Sequence, residues 1–306
     1  MNTASRILIS GASGMIGSAL VRAFTADQIS VVQLVRKPAS HSQPQIVWSP
    51  QSSPAIANPS QLEDFNTVIH LSGANIAAHR WTPAYKKEIV ESRVKTTQAL
   101  CELLAGLKNP PQTLLCASAT GIYGDRGDEI LTEASSPGTG FLAETCAAWE
   151  AAALPAKAAG IRIVHLRFGV VLSPEGGGGA LARMLPLFRL GLGGRLGSGR
   201  QWMSWISLSD QVSAVSHIIA AQLAGPVNMV APTPITNTEF TQTLASALHR
   251  PAIFPAPAFA LRAAVGEMAD EALLASERVI PTQLTQSGFQ FQHPQLAMTL
   301  ESMLKR

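Results

Sequence analysis

Three glycines at positions 11, 14 and 17, in the segment GASGMIG, are the residues whose spacing first points to chemistry. They follow the apolar run Arg6–Ser10 and precede Met15 to Phe24, where apolar residues recur at helical spacing, so they fall at a strand-to-helix turn. In that setting Gly11 permits the tight turn, Gly14 lets backbone amides approach a pyrophosphate, and Gly17 allows helix and strand to pack closely. The free N–H groups and positive dipole end of the helix favour an anion. Gly11, Ser13, Gly14, Met15, Ile16 and Gly17 are therefore the expected holders of a dinucleotide's phosphates.

The end of the next strand, Ser30–Val35, bears on which dinucleotide. A site for NAD usually has Asp or Glu about 20 residues beyond the glycines, accepting from the ribose 2′-hydroxyl. No Asp or Glu occurs from Gln28 through Leu62, and Arg36 and Lys37 stand at the strand end instead. A cation there pairs with a 2′-phosphate. NADP(H) is the expected cofactor, ahead of NAD; the alternative is a pair of solvated strand-end cations.

Such a turn needs a framework, and the surrounding pattern supplies one. Gln45–Trp48, Thr67–Gly73, Thr113–Ser118 and Ile161–Leu172 read as further strands. Long helices are expected over Tyr85–Leu107, capped by Thr82-Pro83, and again after Phe141. Continuous apolar strands alternating with helices signal a parallel sheet covered on both faces, an α/β Rossmann-type doubly wound fold. Beyond Leu172 the texture becomes glycine-rich, in Pro174–Gly179 and Leu190–Gly199, before Trp205–Leu223 and Pro226–Val230 resume the pattern. The expected division is a dinucleotide domain of residues 1–172 and 205–232, and a smaller, loop-rich α/β substrate lobe of residues 173–204 and 233–306.

Bulk properties exclude several classes. With 46% hydrophobic and 14% charged residues, the 306-residue chain can fill a large core. A net charge of +3 without a run of like charges argues against a nucleic-acid partner. No secretory leader is recognisable, and no stretch reaches the roughly 18 apolar residues of a membrane span. Cys101, Cys116 and Cys146, far apart and without a CxxC, read as reduced thiols of a cytoplasmic protein. The histidine spacings suggest no metal.

Taken in order, these motifs resemble the extended short-chain dehydrogenase/reductase superfamily, most closely the atypical epimerase-like subgroup of the NAD-dependent epimerase/dehydratase proteins. The resemblance runs through GASGMIG, VIHLSGANI, RWTPAYKKEIVESRVKTTQAL, GGGGAL, GLGGRLGSGRQWMSWI and VIPTQLTQSGFQF. It implies that the turn Leu71, Ser72, Gly73 passes under the adenosine ribose and phosphates, and that Glu88 and Arg93 contact the cofactor. For Glu88 a solvated carboxylate beside Lys86 and Lys87 is an equal alternative. A homodimer through the helices after the fourth and fifth strands is common in the superfamily.

The superfamily's chemistry uses a Tyr-x-x-x-Lys pair with a Ser or Thr; the tyrosine exchanges a proton with the substrate hydroxyl while hydride moves at the cofactor. This chain departs from it. Tyr85 is followed four places on by Ile89 and Tyr123 by Gly127, and the usual slots fall near Phe141 and Thr145. Ser118 and Thr120 match the hydroxyl position, and Tyr123 lies on a segment expected to reach the nicotinamide. Asp125, Asp128, Glu129 and Glu133 offer a general base if one is desolvated, or else form a solvated loop. Cys146 is expected to be a buried, inert thiol. Arg167, Arg200 and Trp202, with Arg195 and Trp205, are candidates for contact with a small polar substrate, by phosphate pairing or ring stacking. In sugar-nucleotide epimerases this region holds the nucleoside diphosphate, so a sugar nucleotide is implied. Two readings stay open: an NADP-dependent epimerase, dehydratase or reductase with another proton donor, or an inactive NADP-binding regulatory module.

Overall fold

The computed structural model describes residues 5–38, 43–52, 54–174 and 179–305. Seven parallel strands form the central sheet: β1 (Arg6–Ser10), β2 (Ser30–Val35), β3 (Gln45–Val47), β4 (Thr67–His70), β5 (Thr113–Ala119), β6 (Arg162–Phe168) and β7 (Gly225–Met229). In these labels their order across the sheet is 7-6-5-4-1-2-3. The chain winds outward from β1 to β3, then from β4 outward the other way. The reversal lies between β1 and β4, whose C-terminal ends flank the crevice in which such sheets take their ligands. Register pairs Ser10 with His70 and His70 with Cys116, which brings the ends of β1, β4 and β5 side by side.

Because strand side chains alternate, one face presents Ile7, Ile9, Ile69 and Leu115 to α1 (Met15–Ala26) and α6 (Leu208–Ala220). The other presents Leu8, Val68 and Leu114 to α2 (Pro83–Ala105) and α4 (Leu154–Ala158). α2 starts as expected: Pro83 is its first residue, and the Thr82 hydroxyl accepts the Tyr85 amide at 3.2 Å.

Two expected elements are divided. The helix after Phe141 is only α3 (Phe141–Ala151); the chain turns at Ala152–Ala153 and restarts at α4, near whose start Pro155 contributes no N–H. The run Ile161–Leu172 breaks at Gly169, where a Cβ would lie 2.6 Å from the Ser204 carbonyl oxygen and 2.7 Å from the Val230 side chain. Beyond that crossing, Val170–Leu172 leaves the main sheet and pairs with Trp205–Ser207.

A separate core builds the lobe. Leu181, Leu185 and Phe188 of α5 (Ala180–Arg189) meet Phe240 and Leu244 of α7 (Asn237–Ala247) and Trp205. Helix α8 (Ala258–Val265) follows, and α10 (Leu296–Leu304) closes this core with Leu296 and Leu300. Of the expected glycine-rich insertion, residues 175–178 lie outside the described residues.

The lobe does not run unbroken to the C-terminus, which corrects the expected boundary. Arg278–Val279 pairs in parallel with Ile130–Leu131, and Val279 packs with Tyr123 and Leu131. Leu284 of α9 (Thr282–Gln286) and Phe289 belong to the sheet core, among Ile7, Ile9 and Val227. The chain thus returns from the lobe to seal the sheet before α10 rejoins the lobe.

Candidate functional site

At the turn after β1 the three glycines have three distinct surroundings. Gly11 has φ +71°, and a Cβ there would sit 2.8 Å from the carbonyl carbon and oxygen of Leu71, so this turn rests directly on the turn after β4. A Cβ at Gly17 would overlap the Gly11 carbonyl, which explains the close seating of α1. Gly14 is exposed, with extended backbone, and a Cβ there would meet only the Gly11 carbonyl oxygen at 3.4 Å. It caps α1 without a side-chain bond, leaving the first-turn amides of Met15, Ile16 and Gly17 no side-chain acceptor. With Ser13 also exposed, the result is an open cradle that fits a pyrophosphate. α5 starts beside it, since a Cβ on Gly179 would lie 3.0 Å from the Met15 sulfur.

Beneath the cradle runs a short polar chain. The Ser72 hydroxyl donates to Ser10 Oγ at 3.1 Å, which leaves the Ser10 hydrogen for His70 Nδ1 at 2.6 Å. Burial pushes the His70 pKa down to about 4, so the ring is neutral. Arg36 and Lys37 are both exposed at the end of β2. On α2, the Arg93 guanidinium lies 5.0 Å from the Trp149 ring centre, and Gly73 makes room for it: a Cβ there would be 3.3 Å from Arg93 Cζ. Burial lowers the Arg93 pKa, and among the described residues the guanidinium donates to the Ile89 carbonyl and pairs with no carboxylate. A partly buried cation beside the β4 turn is suited to an anionic ligand. Glu88 is exposed on the same helix.

The end of β5 corrects several expectations. Tyr123 is not on an open segment: it is fully buried, donates to Asn228 Oδ1 at 2.7 Å, and accepts from Arg167 at 2.9 Å. Burial raises its pKa despite Arg167, so it is placed neither to meet a nicotinamide nor to ionise. Arg167 is likewise buried and forms a two-pronged ion pair with Glu150 of α3, at 2.9 and 3.0 Å. Ser118 donates to the same carboxylate at 2.7 Å. Burial opposes ionisation of Glu150, but the Arg167 hydrogen bonds and charge outweigh it and hold the carboxyl below its ordinary value. These side chains pin α3 to the sheet. Glu133 also leaves the solvated-loop description, because it is buried and accepts the amides of Asn228 and Gln283 at 3.0 and 3.2 Å.

Thr120 points to a different partner, one the sequence did not reveal. Its hydroxyl lies beside the carboxyl of Glu277, which burial foremost, and then Asp125, push up to about 7. A Cβ on Gly121 would lie 4.0 Å from Glu277 Oε1 and 3.5 Å from Leu142 Cβ, so the carboxyl and the first turn of α3 border the same glycine. Phe141 itself is half-buried, edge-on to Trp81 and under the Lys86 ammonium. Thr145 is buried, and burial pushes the Cys146 thiol up to about 12, keeping it protonated. Glu277 follows Ser276 in an unremarkable acidic–basic stretch, and only the folded chain brings it to Thr120.

In the lobe, Arg200 is exposed on its glycine loop, while Arg195 donates to the Ser198 carbonyl at 2.8 Å. The Trp202 indole donates to Asp128 at 2.7 Å, and Arg278 covers its ring at 4.2 Å, so it is engaged within the protein. Trp205 is buried and donates to the Thr233 carbonyl.

Residues 7–230 match the family model of the NAD dependent epimerase/dehydratase family, and residues 256–303 match a domain of unknown function, DUF1731. The chain is 46% identical over 288 residues to the epimerase family protein Mb2239 of Mycobacterium bovis, covering 94% of this chain and 93% of that one. Its structure is similar to that of the human epimerase family protein SDR39U1 with NADPH, at TM-score 0.90 and 33% identity, covering 98% of this chain and 99% of that one. It is also similar to the nucleoside-diphosphate sugar epimerase from Corynebacterium glutamicum, at TM-score 0.78 and 34% identity, covering 98% of this chain and 58% of that longer one.

Proposed function

Because the chain belongs to the NAD dependent epimerase/dehydratase family, we propose that it binds NADP(H) and couples hydride transfer to proton transfer on a small polar substrate, a sugar nucleotide by preference. The observation that carries this reading is the open cradle at Gly14, with uncapped α1 amides on one side and Arg36 and Lys37 exposed on the other. Ser13, Gly14, Met15, Ile16 and Gly17 would hold the pyrophosphate, and Arg36 and Lys37 the 2′-phosphate. Leu71, Ser72, Gly73 and Arg93 would line the ribose and phosphate side. The bound nicotinamide would supply or accept a hydride. Arg200 remains the lobe's candidate for a substrate phosphate. The human relative was crystallised with NADPH and the Corynebacterium relative bears the name of a sugar-nucleotide epimerase, which supports both halves of the reading.

A second reading, a regulatory module that senses NADP(H) without turnover, is favoured by Phe141 and Thr145 where a proton-donating pair is expected. We further propose a cytoplasmic homodimer, with a second copy seated on the outer face of α2, where Val90, Val94 and Phe141 line a hollow together with Lys86, Lys87, Glu91 and Lys95.

Titration calorimetry with NADPH and NADH tests the cofactor assignment. NADPH is expected to bind at least about tenfold more tightly than NADH, a charge-assisted pair being strong enough for that. Arg36→Ala with Lys37→Ala should erase the difference, and Gly14→Ala should weaken both nucleotides without lowering the melting temperature. Equal affinity for NADH would sink the NADP assignment. Light scattering of the same samples reads the dimer.

A further inference from the structure

We propose that Glu277 is the proton-exchanging carboxyl of this site, acting from the strap that returns to the sheet rather than from α3. The proposal rests on the cofactor reading above. Its first support is place. The Glu277 amide donates to the Trp202 carbonyl at 3.2 Å, and the next two residues pair with Ile130–Leu131, so the backbone is held on both sides. The carboxyl lies beside the Thr120 hydroxyl, and the absent side chain of Gly121 leaves space open beside both the carboxyl and Leu142. Leu142 adjoins Phe141, so the carboxyl and the turn from which a tyrosine would act border the same glycine.

The second support is direction along the cofactor. Phosphates at the α1 cradle, with Arg36 and Lys37 at β2, put the adenosine end over β1 and β2. In a sheet ordered 7-6-5-4-1-2-3, the remaining half of a dinucleotide lies over β4 and β5. Thr120 follows β5 directly.

The third support is that this carboxyl is uncommitted. Glu150 is spent on Arg167 and Glu133 Oε1 on two amides, its buried Oε2 having no hydrogen-bond partner among the described residues, whereas no cation pairs with Glu277 among them. The groups facing it are the Thr120 hydroxyl, Asp125 on the following loop and the Cys146 thiol on α3, with Arg93 behind that thiol; Arg278, its neighbour on the strap, is turned onto Trp202. Burial raises its pKa to about 7, where a carboxyl exchanges protons readily at neutral pH. Glu277 nonetheless keeps part of its surface exposed, so a ligand can reach it.

The step balances simply. As the carbinol hydrogen leaves with its electron pair for the nicotinamide, the O–H bond breaks and its proton moves to the Glu277 carboxylate. A carbonyl and a carboxylic acid result, and reduction reverses both transfers.

A carboxylate beside the nicotinamide favours the cationic NADP⁺ over neutral NADPH, which can be read without any substrate. The ratio of the NADP⁺ and NADPH dissociation constants should fall on the order of tenfold between pH 6 and pH 8 as Glu277 ionises, the size of a unit-charge attraction over several Å in a partly wet site. The 2′-phosphate, ionising near pH 6, is common to both nucleotides and cancels. Glu277→Gln should make the ratio flat, and Glu277→Asp, with its shorter reach, should leave a reduced slope. Glu277→Gln should also melt higher than wild type at pH 8 and alike at pH 4 and below, because a carboxyl with a raised folded pKa opposes folding only above its unfolded pKa. A flat wild-type ratio with both nucleotides bound, or an unchanged slope in Glu277→Gln, overturns the proposal and leaves the cofactor reading standing. If wild type binds neither nucleotide, the cofactor reading falls and takes the proposal with it.

Discussion

His70 shows how one side chain at the sheet's end ties acid sensitivity to the nucleotide turn. Its ring is buried, accepts from Ser10, and titrates only near pH 4, whereas in the unfolded chain it takes a proton below about pH 6.5. Between those values the unfolded state holds the extra proton, so stability falls as pH falls. The contribution is fully present above pH 6.5 and about 3 kcal/mol is lost by pH 4. Urea unfolding of His70→Gln should show a flatter dependence over that interval than wild type; parallel curves would refute the assignment. At this scale the sequence was informative where chemistry is local. Gly11, Gly14 and Gly17 are close neighbours in the chain, and so are Arg36 and Lys37. Ser10 with His70, and Thr120 with Glu277, meet only through strand register and the returning strap, so no spacing could announce them.

The attachment of α3 is the decisive relation between elements. Its register on the sheet depends on the Arg167–Glu150 pair, with Ser118 and Tyr123 completing the hydrogen bonds. A nearly buried pair gains little over an apolar replacement, but losing one partner strands the other charge. Arg167→Met should therefore cost about 3–5 kcal/mol in urea unfolding, with much of that recovered in the double variant Arg167→Met, Glu150→Leu. Equal losses in the single and double variants would assign Arg167 another purpose. Helix and strand identity came through the apolar periodicity with small shifts at the ends. The interruptions were hidden, because Gly169 is one glycine in an otherwise ideal strand pattern. Its need arises from Ser204 and Val230, which approach from elsewhere in the chain.

At the scale of the molecule, each half is assembled from chain segments that are separated in the sequence. The doubly wound sheet was readable from alternating apolar strands and helices, and the lobe from its glycine-rich opening. The strap was not, since Leu284 and Phe289 sit in a proline-rich, weakly periodic tail whose apolar residues could serve either core. Leu284, fully buried against the sheet, should cost about 2–5 kcal/mol when replaced by Ala. Thermal melts with NADPH should show that loss in the nucleotide-binding transition, although Leu284 lies far beyond residue 232. A melt in which only a separate lobe transition moved would contradict this packing.

The strap also fixes a timetable for the newborn chain. β1 emerges from the ribosome before the other strands of the sheet, yet the Leu284 and Phe289 side chains that finish covering its core emerge after all of them. At about 5–20 residues per second, translation leaves that gap open for about 14 to 55 seconds. Throughout that interval a Val- and Ile-rich parallel sheet lacks its final cover, so cellular yield should depend on how well chaperones shield the nascent protein rather than on the stability of the finished one.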